Sequence, residues 1–221
     1  MTTGAAASLT SPVSRTAPSR TRIKICGIRD VETALAAADA GADAIGLVRV
    51  STSPRVVEID TARRIAHAVP PFVTPVVVTA DAGPDQLLAE WPHDWIQLHG
   101  AETAIDAIFG GRRIIRGLPL AVGEGELLRW DRDPLIAALL IDAPRPGSGE
   151  PLAIDDLIAL RPRLRAPLIV AGGLTPSSVT AVIRALRPWA VDVSSGVESS
   201  RGVKDLGRIR EFCAAVRAAD S

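Results

Sequence analysis

Residues 166–195 read APLIVAGGLTPSSVTAVIRALRPWAVDVSS. Two apolar runs, 166–171 and 190–195, have the length and β-branched content of buried strands. Between them, PSSVTAVIRALRP carries apolar residues at helical spacing. A strand, a helix and a second strand in succession form a βαβ unit, whose two strands run parallel. The same alternation extends outward in both directions. Further short apolar runs occur at 22–28, 43–50, 74–79, 94–99, 112–118 and 137–143, and amphipathic stretches such as VETALAAADAG separate them. Asp30, Asp60 and Ser177 stand where helix N-caps are expected. The last stretch, DLGRIREFCAAVRA, reads as an eighth helix. Eight units of roughly 25 residues fill 22–221, so the predicted architecture is one (β/α)8 barrel, an eight-stranded parallel sheet with no second domain. An open doubly wound sheet is the competitor, but it needs fewer units, and no GxGxxG follows the first strand.

Composition narrows the function. The chain has 221 residues, with 25 basic and 25 acidic side chains, so it lacks the basic footprint of a nucleic-acid binder and the field that draws a protein to a membrane. Hydrophobic residues make up 47%, enough for a large core, yet no apolar run is long enough to span a bilayer. The two cysteines, Cys26 and Cys213, have no metal-type spacing and cannot staple a domain of this size, which points to a reducing cytoplasm. Residues 1–21 are rich in Ala, Ser, Thr, Pro and Arg and read as a disordered N-terminal extension, without the apolar core of a signal peptide. Only two of the basic residues are lysines, Lys24 and Lys204.

Barrel active sites form at the C-terminal ends of the strands. Those ends bring forward Cys26, Arg55, His99, Arg116, Asp142, Gly172 with Gly173, and Ser194 to Gly196. Strand side chains alternate between faces. With Ile23 and Ile25 against the helices, Lys24 and Cys26 point into the barrel. The same alternation places Asp192 and Ser194 inward from the eighth run, and Gln97 and His99 inward from the fourth. The first and eighth strands are neighbours when a barrel closes, so Lys24 and Asp192 are predicted to pair inside it. A satisfied polar network near the barrel floor would account for Lys24, Gln97 and Asp192 without any function.

Cys26 is a candidate base or nucleophile, or else a small apolar packing residue. Asp142 ends the apolar run ALLI. A carboxyl in such surroundings has a raised pKa and suits a general acid, although a loop cap or a partner for an arginine are equally open. The small residues at Gly172, Gly173, Ser194, Ser195 and Gly196 allow an anion to approach the backbone closely, at the place where barrels commonly bind phosphate. Cys213 and the four tryptophans read as packing.

Taken in order, KICGI (24–28), GADAIGLV (41–48), SPR (53–55), QLHG (97–100), LLIDA (139–143), GSG (147–149), AGGLTP (171–176) and AVDVSSGVES (190–199), with Gly202, Lys204 and Asp205 behind them, resemble the phosphoribosylanthranilate isomerase family of tryptophan biosynthesis. The resemblance implies an Amadori rearrangement of an aminoaldose to an aminoketose. In that reading Asp142 is the acid and Cys26 the base, and Arg55 binds the anthranilate carboxylate. Gly172, Gly173, Asp192, Ser194, Ser195 and Gly196 hold the phosphorylated substrate, and Lys24, Gln97 and His99 support the site. It implies a small phosphorylated substrate and no metal or organic cofactor; the neutral charge argues against nucleic acid and membrane as partners, and monomer and homodimer stay open. The chain departs from the family pattern in PVVVT (75–79), in Arg49, Val50, Thr52 and Val56, in Pro146 and Glu150, and in Ser178. Two alternatives follow. One is the same isomerisation on another phosphoribosyl-amine, of histidine-pathway or secondary-metabolite type. The other is a catalytically silent barrel that binds a sugar phosphate.

Overall fold

The computed structural model describes residues 19–81, 91, 93–101, 112–143 and 154–221. Eight parallel strands close into a barrel in sequence order: β1 (Arg22–Cys26), β2 (Ala44–Val48), β3 (Thr74–Thr79), β4 (Trp95–Leu98), β5 (Arg113–Pro119), β6 (Ile136–Asp142), β7 (Leu168–Val170) and β8 (Ala190–Val193). The closing pair is β1 with β8, in a register that sets Lys24 opposite Asp192. Six α-helices lie among the described residues: α1 (Val31–Asp39), α2 (Ile59–Ala68), α3 (Glu124–Asp131), α4 (Ile154–Leu160), α5 (Val179–Leu186) and α6 (Leu206–Asp220). The (β/α)8 architecture read from the alternation is therefore the one observed. The GSG segment at 147–149, with Pro146 and Glu150, lies outside the described residues.

The alternation of faces explains the two cores. Ile23, Ile25, Ile45, Leu47, Val77, Ile96, Leu98, Val191 and Val193 face outward and are fully or almost fully buried with helix residues such as Ala34, Ile65, Leu186 and Phe212. Inside the barrel a second cluster contains Val76, Ile115, Ala138, Leu140, Ile169, Ala171 and Ala190. Cys213 belongs to the outer core, where burial pushes its thiol up to about 11. It packs as the sequence indicated. Between Ile114 and Ile115 the pairing with β6 slips by one residue, from Ile136 to Ala138. This irregularity restores the inward phase of Leu140 and Asp142.

Some local expectations fail for identifiable reasons. Asp30 does cap α1, accepting from the Thr33 N–H at 2.7 Å. Asp60, however, lies within the first turn of α2, whose N-cap position is Glu58. Ser177 does not cap α5. Ser178 stands at the N-cap position without a side-chain cap, and the turn before the helix is braced by exchange: Ser178 Oγ accepts from the Thr175 N–H at 3.0 Å, and Thr175 Oγ1 accepts from the Ser178 N–H at 3.2 Å. Residues just before Arg22 are also bonded to the barrel. The Thr21 N–H and hydroxyl donate to Asp220 at 2.7 and 2.8 Å, and Arg20 pairs with Asp43. The first strand is thus tied to the last helix.

Candidate active site

The inner face of the barrel is polar toward its C-terminal end. Lys24 Nζ donates to Asp192 Oδ1 at 2.8 Å, with both side chains almost fully buried. The inward pair expected from strand order is therefore present. Removing one partner would strand the other charge in the interior, so Lys24→Met and Asp192→Asn are each expected to cost about 3–5 kcal/mol of stability. Chemical denaturation checks this, and single variants as stable as the parent would contradict a buried pair.

Cys26 stands above Lys24 on the same face of β1 and is buried. Gly46 on neighbouring β2 makes room for both. A Cβ on Gly46 would lie 2.7 Å from Cys26 Sγ and 3.0 Å from Lys24 Nζ. Burial raises the thiol pKa, and the Asp192 charge adds to that. Lys24, by charge and hydrogen bond, and Lys204, by charge, pull the other way without overcoming it. The group is thus a thiol in its resting state, with cations at hand to stabilise a thiolate.

Asp142 ends β6 on the inner face and is buried. Burial drives its carboxyl up to about 6. The Asp192 charge adds to this, whereas the adjacent Ala143 N–H, at 2.8 Å, and Lys24 oppose it. The Lys24–Asp192 pair therefore acts on both Cys26 and Asp142.

Asp142 and Asp192 also border a depression lined by Gly172, Gly173, Ser194, Ser195 and Gly196. The glycines are required there. Gly172 and Gly173 have φ of +92° and +65°, a left-handed region where side chains are strained. A Cβ on Gly172 would sit 2.4 Å from the Ala143 nitrogen, and one on Gly196 would sit 1.8 Å from the Leu174 carbonyl oxygen. The small residues singled out after β7 and β8 thus share one cradle with Asp142.

Gln97 and His99 point inward from β4, as alternation required. Gln97 is fully buried, and its Nε2 lies 2.6 Å from His99 Nε2. Gly117 on β5 clears space for the imidazole, since a Cβ there would lie 2.5 Å from His99 Cε1. Arg116 is not brought to the site. It alternates to the outer face, where its guanidinium lies 4.5 Å from the centre of the Trp130 ring and donates to the Gly100 carbonyl at 2.6 Å.

Arg55 reaches the end of β1 from the loop after β2, and its side chain crosses Gly27, where a Cβ would lie 2.6 Å from Arg55 Cδ. The sequence reading missed its partner. Arg55 Nε and Nη2 donate to the two carboxylate oxygens of Glu198 at 2.7 and 3.0 Å. Glu198 begins a short antiparallel hairpin, β9 (Glu198–Ser200) and β10 (Val203–Lys204), which was also not anticipated. From β10, Lys204 Nζ donates to Glu198 Oε1 at 2.9 Å and to the Ser194 carbonyl at 2.9 Å. The rarity of lysine was the one available hint, and both lysines do lie at this end of the molecule.

A closed parallel barrel with a buried thiol and a carboxyl of raised pKa at its C-terminal mouth is the architecture of a (β/α)8-barrel enzyme. The particular family follows from comparison. The pattern of the N-(5′-phosphoribosyl)anthranilate (PRA) isomerase family matches residues 23–215, and the chain belongs to that family. An N-(5′-phosphoribosyl)anthranilate isomerase of Pseudomonas aeruginosa is 45% identical over 200 residues, covering 89% of this chain and 95% of the relative. The crystal structure of phosphoribosyl anthranilate isomerase from Thermotoga maritima superposes with a TM-score of 0.82 at 32% identity, covering 90% of this chain and 99% of that one. Another isomerase structure, in complex with reduced 1-(o-carboxyphenylamino)-1-deoxyribulose 5-phosphate, superposes with a TM-score of 0.79 at 32% identity, with the same coverage. Among the described residues no helix is long and apolar enough to cross a membrane.

Proposed function

We propose that this chain isomerises phosphoribosylanthranilate to 1-(2-carboxyphenylamino)-1-deoxyribulose 5-phosphate, as an enzyme of tryptophan biosynthesis in the cytoplasm, with Asp142 as acid and Cys26 as base. The observation that carries the assignment is the inward position of Asp142, raised to about 6 beside the glycine cradle. The protonated carboxyl gives its proton to the furanose ring oxygen as the C1′–O bond breaks, and the nitrogen lone pair forms a Schiff base. The Cys26 thiolate then takes the C2′ proton. The electrons of that C–H bond form the C1′=C2′ bond of an enolamine, which tautomerises to the ketone. Arg55 faces the anthranilate carboxylate, and Gly172, Gly173, Ser194, Ser195 and Gly196 surround the phosphate. Asp192 lies beneath, with Lys24, Gln97 and His99 supporting. No step calls for a metal or organic cofactor.

The raised pKa values set the pH dependence. Between about 6 and the raised pKa of the thiol, the resting pair is thiol plus carboxylate. The reactive pair, thiolate plus carboxylic acid, holds the same number of protons. Its share is therefore independent of pH across that window and falls on either side. The kcat/KM profile is expected to be flat-topped, falling below about pH 6 and again in the thiol range. A rate that still climbs steeply above pH 9 would contradict this pairing of acid and base.

A further inference from the structure

Arg55, Glu198 and Lys204 form a buried cluster in which two cations share one carboxylate. Their side chains are 10%, 4% and 3% exposed. Among the described residues, every ion pair of Arg55 and of Lys204 runs to Glu198. One positive charge is therefore left over in a desolvated place. A purely structural cluster would balance, because an uncompensated buried charge is costly. The geometry also has a direction. Glu198 takes Nε and Nη2 of the guanidinium. An arginine carries five N–H donors, so the edge formed by Nη1 and the second hydrogen of Nη2 stays outside the Glu198 fork. That edge has the spacing of a second carboxylate.

The hairpin holds this arrangement from both sides. Lys204 stands opposite Glu198 in its register, and the Gly202 N–H donates to Glu198 Oε2 at 3.1 Å. Gly202, with φ of +83°, rests against Pro54, the residue before Arg55: a Cβ there would lie 2.6 Å from the Pro54 carbonyl oxygen. Ser194, which accepts from Lys204, donates its own hydroxyl to the Cys26 carbonyl at 3.1 Å. Burial works to raise the Glu198 carboxyl, but hydrogen bonds from Arg55, Lys204 and Gly202 outweigh it and hold it at about 2. Glu198 is thus ionised throughout the working range.

We propose that Glu198 is a positioning residue that aims the open edge of Arg55 at the substrate carboxylate, which in turn neutralises the surplus charge of the Arg55–Glu198–Lys204 cluster. This rests on the reading of Arg55 as the carboxylate-binding group. Positioning and simple charge balance predict opposite signs. Glu198→Gln removes a negative charge, so electrostatics alone would tighten carboxylate binding. If aim matters, the split fork loosens it.

The test uses two unreactive probes, the reduced carboxyphenylamino-deoxyribulose phosphate and the same compound without its ring carboxylate, measured by calorimetry. The parent protein is expected to prefer the carboxylated probe by roughly ten- to a hundredfold, as befits a charge-assisted fork. Glu198→Gln is expected to lose about tenfold of that preference, while its affinity for the carboxylate-free probe stays within about threefold. KM should rise with kcat little changed, because the contact is made equally in ground and transition states. An unchanged or increased preference in Glu198→Gln overturns the proposal. If Arg55→Met also keeps the preference, the reading of Arg55 itself is wrong. If Arg55→Met loses it while Glu198→Gln keeps it, only the role of Glu198 is wrong. Should Glu198→Gln fail to bind even the carboxylate-free probe, Glu198→Asp carries the test. Its withdrawn carboxylate should lose part of the preference, and full preference there overturns the proposal equally.

Discussion

Cys26→Ala is expected to lower kcat by roughly a hundred- to ten-thousand-fold or more while the protein stays folded and keeps its affinity for the reduced product analogue. The reasoning separates two roles of one sulfur. As a packing atom it is small, and its loss from a buried position should cost on the order of 1 kcal/mol. As a base it acts only when the C2′–H bond breaks, so its removal falls on the transition state and hardly on ground-state binding. A loss confined to KM would mean that Cys26 only packs against substrate. Substantial turnover in a folded Cys26→Ala protein would move the base elsewhere. His99 is the next candidate, because it enters the same interior from β4.

Asp142→Asn is expected to lose activity on the same scale, since an amide cannot deliver the ring-opening proton. It should also gain stability, and only at one end of the pH scale. The folded carboxyl sits at about 6, above its ordinary value of 3.8. Folding therefore favours the protonated form. Below the ordinary value both folded and unfolded states hold the proton, and there is no penalty. As pH rises through the window the unfolded chain ionises first, and the parent loses up to about 3 kcal/mol of stability by pH 7–8. Asparagine has no such loss, and its side-chain oxygen can still accept from the Ala143 N–H. Melting temperatures of the two proteins should be close near pH 4 and several degrees apart at pH 8, with the variant higher. Equal melts at both ends would mean that the carboxyl is not raised, and the case for an acid at this position would fail with it.

The fold was legible because period-two and period-3.6 patterns survive in this chain almost without interruption, and because parallel strands buried on both faces read as plain apolar runs. The inward residues were legible for the same reason. Once Ile23 and Ile25 are assigned to the helix side, Lys24 and Cys26 have nowhere else to point, and barrel closure brings Asp192 to Lys24. Helix starts were harder, since α2 begins after Glu58, which is not a preferred cap residue, and Ser177 and Ser178 are adjacent candidates between which only tertiary packing selects. Arg116 misled because standing at a strand end says nothing about which face it occupies. Glu198 was missed because its partner lies 143 positions away and a three-residue strand has no periodicity to detect. Gly46 and Gly117 matter through the atoms they let in, Cys26 Sγ with Lys24 Nζ and the His99 ring. That property belongs to the folded neighbours and leaves no mark in local sequence.

The central claim is that this barrel turns over phosphoribosylanthranilate with its own side chains. The direct measurement is the formation of 1-(2-carboxyphenylamino)-1-deoxyribulose 5-phosphate by the purified, metal-chelated protein at neutral pH, with substrate in large excess. Many turnovers per protein molecule are expected, and chelation should not diminish them. A folded protein that binds the reduced product analogue but leaves phosphoribosylanthranilate unconverted would contradict the assignment of both Cys26 and Asp142.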